Sequence, residues 1–253
     1  MSSKTDICEG CNHNTNNELK KLGGDVGDYD FVVALAGNPN TGKSTVFNSL
    51  TGLRQHTGNW PGKTVARAEG GYLFNENKYK LIDLPGTYSL LSTSEDEEIA
   101  RDFILFSKPD VTVIVVDAGR LERNLNLVLQ ILEITDRAVL CLNLIDEAER
   151  QDIKIDDRTL SKELGIPVVP TVASSNRGIK ELLQTINDVA TEKIKVKPRK
   201  IQNLPPTLKM AVDKLNEKLE KQYPNLSNKR WISLRLLEGD QRVVEALNSG
   251  KLA

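Results

Sequence analysis

From residue 30 onward, short apolar runs alternate with segments whose apolar positions recur every three or four residues. The runs are Phe31–Ala36, Gly71–Phe74, Tyr79–Leu84, Val111–Asp117, Ala138–Leu144 and Ile166–Val172. Such short, nearly continuous apolar character predicts strands buried on both faces, hence a mostly parallel sheet covered by helices on each side. The helical period predicts helices over Lys43–Leu53, Asp96–Phe106, Leu121–Thr135, Asp157–Leu164 and Ile179–Glu192. Ser94 with Glu97 three residues on is a capping-box signature for the second of these. The strand around Arg67–Phe74 meets Tyr79 through Asn75-Glu76-Asn77, which predicts a hairpin and one antiparallel edge. The fold class is α/β.

Outside that span the pattern changes. Residues 1–29 are polar and predict a poorly ordered extension. Residues 193–206 shift to Lys, Pro and Asn and read as a linker after the 30–192 domain. From 207 to 253 only helical patterns occur, at Thr207–Gln222, Lys229–Leu237 and Asp240–Asn248. About 50 residues hold little core of their own, so this piece is expected to pack on the main domain or on whatever follows it. At 253 residues the whole chain accommodates one typical domain plus a small one. A net charge of −1 argues against nucleic acid as a partner. Three cysteines, an odd number, suit a reducing compartment better than a disulfide framework. No apolar stretch approaches the roughly 20 residues of a membrane helix, so a soluble chain is expected.

Candidate chemistry begins between the first strand and the first helix. Gly37-Asn38-Pro39-Asn40-Thr41-Gly42-Lys43-Ser44 fits G-x4-G-K-[ST] in the strand–loop–helix setting of a phosphate-binding loop. Its glycines permit a tight turn that points successive N–H groups, through Thr45, at phosphate oxygens. The helix N-terminus adds its dipole. Lys43 would neutralise β- and γ-phosphates, and the Ser44 hydroxyl would ligate Mg2+.

Four further elements follow in the order of a GTPase. Asp83-Leu84-Pro85-Gly86 ends a strand, where Asp83 can hold the Mg2+ shell through water and the Gly86 N–H can reach the γ-phosphate. Asn143-Leu144-Ile145-Asp146 ends another strand. A carboxylate there accepts from the N1–H and exocyclic amine of guanine, a donor pair adenine lacks, so Asp146 would select guanine and Asn143 would brace the base loops. Leu144 stands where a Lys is usual. Val172-Ala173-Ser174 is the position that lends a backbone N–H to guanine O6, and it is accepted mainly by its place in the order. Finally, Gly58-Asn59-Trp60-Pro61-Gly62-Lys63-Thr64 is expected to be a mobile switch, with Thr64 reaching Mg2+ and γ-phosphate only when GTP is bound. Trp60 is either a docking handle or a core plug.

Gly58-Asn59-Trp60-Pro61-Gly62, Asp83-Leu84-Pro85-Gly86-Thr87-Tyr88-Ser89-Leu90, Ala100-Arg101-Asp102-Phe103 and the run from Arg230-Trp231 to Leu236-Leu237-Glu238-Gly239-Asp240 resemble the cytosolic N-terminal part of ferrous iron transport protein B. The resemblance covers roughly residues 30–240. It implies a Ras-like GTPase domain bound to GTP or GDP, then a helical domain likened to a GDP-dissociation inhibitor. A polytopic membrane domain that moves Fe2+ would follow, and this chain stops where it would begin. It further implies a place at the cytoplasmic face of the bacterial inner membrane, regulation of iron uptake, and small cytosolic accessory proteins as partners. The oligomeric state stays open. Lys63-Thr64-Val65-Ala66 departs from the Val-Thr-Val-Glu that members often carry.

Ras-like enzymes place a Gln after the Asp-x-x-Gly motif to orient water; here that residue is Thr87. Asn40 resembles the loop Asn of K+-activated GTPases, so K+ is expected to stimulate hydrolysis with Asn40 as its ligand and slow turnover otherwise. Cys8, Cys11 and His13 form a single weak metal-type spacing in the tail. Two other readings compete: a soluble ribosome-assembly or RNA-modification GTPase, which would carry a basic RNA-binding piece this chain lacks, and a nucleotide switch with negligible hydrolysis.

Overall fold

The structure is a computed structural model that describes residues 29–52, 55–91, 94–200, 204–224, 226 and 228–250. Its strands are β1 (Phe31–Gly37), β2 (Gln55–Asn59), β3 (Ala66–Phe74), β4 (Asn77–Asp83), β5 (Val111–Asp117), β6 (Ala138–Asn143) and β7 (Val168–Pro170). They form one seven-stranded sheet in the order β2-β3-β4-β1-β5-β6-β7. β1 pairs in parallel with β4 and β5, and β5–β6–β7 continue in parallel. The β2–β3 and β3–β4 pairs are antiparallel, so the expected antiparallel edge contains two such pairs.

The central strands are mostly apolar because both faces are covered. Alternate residues feed opposite cores, as the period of two demands. Val33, Leu35, Val113, Val115, Val139 and Cys141 pack with α1 (Lys43–Thr51) and α6 (Ile179–Ala190). Ala34, Ala36, Ile114, Val116, Leu140 and Leu142 pack on the other face with α2 (Glu95–Asp102), its π-turn Phe103–Ser107, and α3 (Leu121–Ile134). Two short helices, α4 (Ile145–Arg150) and α5 (Asp157–Leu164), flank β6 and β7.

β2 and α4 lie outside the predicted elements. Gly58 and Asn59 were expected in a mobile segment; instead Gln55–Asn59 forms the sheet edge against β3. His56 through Asn59 are all exposed, so an edge strand of this kind carries no apolar alternation to read. α4 starts at Leu144, a non-glycine residue at φ 60°, an entry that no local pattern announces.

Three helices follow: α7 (Pro206–Gln222), α8 (Lys229–Leu237) and α9 (Gln241–Asn248). They have no separate core. Leu219, Leu226, Trp231, Ile232, Val243 and Leu247 join the same cluster as Leu90, Phe103, Leu127 and Ile131 of the sheet domain. The segment before them is pinned rather than free. Lys197 N–H donates to Gly165 O (3.2 Å) and Arg199 N–H to Leu164 O (2.9 Å). Gly165 has φ +71°, and a Cβ there would lie 2.1 Å from Lys197 O, so the linker fits only against glycine.

Candidate nucleotide site

The phosphate-binding loop sits where β1 hands over to α1. Gly37 permits its close approach to β5: a Cβ would lie 2.5 Å from Val115 O. Gly42 has φ +78°, and a Cβ there would lie 2.4 Å from Asn143 Nδ2. Thr41 is buried and its hydroxyl donates to Asn38 O (2.9 Å), closing the turn. Asn40 takes φ 65°, a left-handed conformation that Asn tolerates, and stands exposed at the rim. The result is a cleft of about 450 Å³ lined by Asn38, Pro39, Asn40, Gly42, Lys43, Ser44, Thr45 and Gly86. Eight residues predicted from sequence therefore converge at the first turn of α1, whose leading N–H groups have no partner within the helix.

Lys43 reaches across the cleft floor. Its Nζ donates to Leu84 O (2.7 Å) and pairs with the Asp83 carboxylate. Burial pushes the Asp83 carboxyl above its usual range, opposed by the Lys43 ammonium. Gly86 approaches the loop closely, since its Cβ would be 3.4 Å from Pro39. Thr87 is buried and its N–H points to Gly37 O (3.3 Å), so the residue in the Gln position is turned into the protein. Beyond it the exposed Tyr88 ring carries the Arg123 guanidinium at 4.7 Å.

A single buried amide ties the phosphate loop to the base loops. Asn143 Nδ2 donates to Thr41 O (3.0 Å), while its Oδ1 accepts from Thr171 Oγ1 (3.2 Å) and Ala173 N–H (3.1 Å). These bonds form a brace between the loop at Thr41 and the turn after β7. Thr171 completes it and was missed, because one Thr at a strand end carries no spacing signal. The Val172 N–H is committed to Arg177 O and the Ala173 N–H to Asn143, which leaves Ser174 to offer a donor from that motif. Asp146 lies in the first turn of α4. Its Oδ2 accepts from Arg150 Nη2 (2.8 Å), whereas its buried Oδ1 has no hydrogen-bond partner. The Asp146 side chain is 39 % exposed, so the carboxylate stands open to solvent beyond its pairing with Arg150.

Thr64 is not among the cleft-lining residues; it is exposed. Its loop folds back on itself, with Trp60 N–H donating to Val65 O and Lys63 N–H to Trp60 O, both at 3.0 Å. Trp60 is 3 % exposed, meets Phe103 edge-on at 5.6 Å and carries Arg67 over its ring at 4.8 Å. It is the core plug, not the docking handle. Cys8, Cys11 and His13 lie outside the described residues. Among the described residues no cluster of metal-ligating side chains occurs, and no helix is long and apolar enough to cross a membrane.

The family model for ferrous iron transport protein B matches residues 31–186, and that for the FeoB cytosolic helical domain matches residues 205–253. The chain belongs to the ferrous iron transport protein B family. It is 44 % identical over 214 residues to the Fe(2+) transporter FeoB of Salmonella typhimurium, covering 83 % of this chain and 27 % of that protein. It thus spans about a quarter of the length of the curated relatives it matches. Among solved structures it is similar to the cytosolic domain of the T. maritima FeoB iron transporter in apo form, with 39 % identity, TM-score 0.78 and 85 % and 84 % of the two chains covered. The same domain in its GMPPNP form gives 36 % identity, TM-score 0.77 and the same coverage. The sheet domain is the family's G domain, a GTPase fold, and the C-terminal helices are its cytosolic helical domain.

Proposed function

We propose that this chain binds and hydrolyses GTP as the nucleotide switch of an Fe2+ membrane transporter, slowly and with K+ stimulation. The observation that carries guanine recognition is the placement of the partly exposed Asp146 carboxylate in the first turn of α4, three residues after Asn143, whose amide is bonded to Thr41 O of the phosphate loop. In this reading residues Gly37 to Thr45 cradle the phosphates, Asn143, Asp146 and the 172–174 turn hold the base, and the Gly86 N–H meets the γ-phosphate. The donor set of Ser44, Thr64 and Asp83 offers hard oxygens that suit Mg2+, which when bound neutralises phosphate charge. Lys43 and Asp83 pair with each other in the cleft floor; with nucleotide and ion bound, Lys43 would serve the phosphates and Asp83 would help hold the ion. Asn40, exposed at the cleft rim, offers its carboxamide oxygen to K+. With Thr87 buried, the position usually held by Gln offers no side chain to the cleft, which supports slow turnover and a need for an added cation.

The wider reading rests on the relatives, which are Fe(2+) transporters. The chain acts at the cytoplasmic face of the bacterial inner membrane. Its partners are a transmembrane permease domain and small cytosolic accessory proteins, and its nucleotide state regulates iron uptake. The deciding experiment is phosphate release from GTP and from ATP, each in KCl and NaCl, for this chain and for Asn40→Ala. Turnover selective for GTP, stimulated by K+ and lost in the variant is expected. Equal rates in the two salts overturn the Asn40 assignment. Tight GTP binding without turnover instead supports a pure switch.

A further inference from the structure

Asn38 carries a buried carboxamide that no hydrogen bond among the described residues satisfies. The residue is 2 % exposed and lines the phosphate cleft together with Gly86, yet neither its Oδ1 nor its Nδ2 has a partner. The turn does not need this side chain, since the Thr41 hydroxyl bonds the Asn38 backbone carbonyl (2.9 Å). Burying an amide without a replacement bond is costly, so its presence calls for a state in which the bonds are made. The segment Gly86–Thr87 touches the residues on either side of Asn38. Thr87 N–H points to Gly37 O at 3.3 Å, long for such a bond, and a Cβ on Gly86 would lie 3.4 Å from Pro39 N. This segment is anchored at both ends. Leu84 N–H donates to Leu35 O (2.9 Å) before it, and Ser89 Oγ donates to Glu97 Oε1 (2.6 Å) after it. Between those anchors the long Thr87 bond ties the segment to the loop.

We infer that Asn38 is a positioning residue for the Gly86–Thr87 segment, held unpaired until a γ-phosphate draws that segment in. The inference rests on the proposed nucleotide site and deepens it. As the Gly86 N–H turns to the γ-phosphate, the Thr87 N–H leaves Gly37 O for Asn38 Oδ1, and Asn38 Nδ2 donates to a backbone carbonyl of the same segment. A diphosphate gives Gly86 no such partner, so the carboxamide stays unpaired. Asn38 thereby adds a preference for the triphosphate, because that state recovers the cost of burying the amide and the other does not. The residue type fits the task. An amide donates and accepts at once, and it brings no negative charge near the phosphates as a carboxylate would.

The test measures affinities of a fluorescent GDP and a fluorescent GMPPNP, and the melting temperature of the nucleotide-free chain, for the parent, Asn38→Leu and Asn38→Ala. Leu keeps the branched shape of Asn without its polar atoms. Asn38→Leu should lower the ratio of GMPPNP to GDP affinity by about three- to ten-fold. It should also raise the nucleotide-free melting temperature by about 2 °C or more, since two unpaired buried groups are gone. Asn38→Ala should lower the ratio alike but lose the thermal gain to the cavity it leaves. A side chain that served packing alone would lower stability and leave the ratio unmoved. A ratio within about 1.5-fold of the parent in both variants, or a melting temperature that falls in Asn38→Leu, overturns the inference. A parent chain that binds neither nucleotide overturns the site reading instead.

Discussion

Replacing Asn143 by Ala tests the tie between phosphate loop and base loops. The side chain is buried and makes three hydrogen bonds, to Thr41 O (3.0 Å), from Thr171 Oγ1 (3.2 Å) and from Ala173 N–H (3.1 Å). Truncation strands a buried carbonyl and a buried amide N–H and leaves the Thr171 hydroxyl to re-pair. At about 1 kcal/mol for each bond lost, the expected destabilisation is about 3 kcal/mol. For a chain of this size that lowers the melting temperature by about 6–12 °C. Asn143→Asp keeps both accepting interactions but places a carboxylate oxygen against Thr41 O, so it should release the phosphate loop while sparing the 171–173 turn. The assay is thermal unfolding with and without GDP for both variants. Asn143→Ala should lose both stability and GDP stabilisation, and Asn143→Asp should lose GDP stabilisation disproportionately. A melting temperature within 2 °C of the parent for Asn143→Ala would refute the bracing argument.

Trp60→Ala removes a buried indole from the contact with Phe103 and from beneath Arg67, and should cost about 3–5 kcal/mol by urea denaturation; a loss below 1 kcal/mol would mean the ring is not a core plug. Asp146→Asn should weaken GTP binding by about 100-fold and improve binding of xanthosine triphosphate, whose carbonyl replaces the guanine amine and accepts from the new amide; competition binding with both nucleotides decides it. Burial pushes the Cys141 thiol up to about 12. On a Cys8→Ser/Cys11→Ser background it should resist alkylation at pH 8 until the chain is unfolded. Because its folded value exceeds the unfolded 9.0, the stability it contributes is intact below pH 9 and falls as pH rises toward 12, by about 1.4 kcal/mol per unit once past 9. Flat stability between pH 8.5 and 10.5 would contradict that assignment.

What could be read along the chain was whatever depends on near neighbours. The phosphate loop is legible because its turn, lysine, hydroxyl and helix start lie within nine residues, and β1, β5 and β6 are legible because double burial makes them largely apolar. Helices α5 and α8 end where the period and the caps place them, Gly165 at φ +71° closing the first. The short polar edge β2 and the six-residue α4 carry no periodic signal, so their positions come from pairing and packing alone.

The site shows the same division. Composition and order of motifs named Gly37 to Thr45, Asp83, Gly86, Asn143 and Asp146, since each is a local chemical requirement of the turn that bears it. Only the folded chain brings Asn143 from β6 onto Thr41, adds Thr171 from the end of β7, spends the Ala173 N–H on that brace and leaves Asp146 Oδ1 without a donor. Trp60 was ambiguous in sequence because burial is a property of its surroundings, and Phe103, 43 positions away, settled it. Likewise the charges of Lys63, Glu98 and Arg242 are plain in the sequence, but their meeting at one oxygen is set by how α2 packs between the loop and α9. Local chemistry is written residue by residue; which distant groups satisfy it is decided by the shared core.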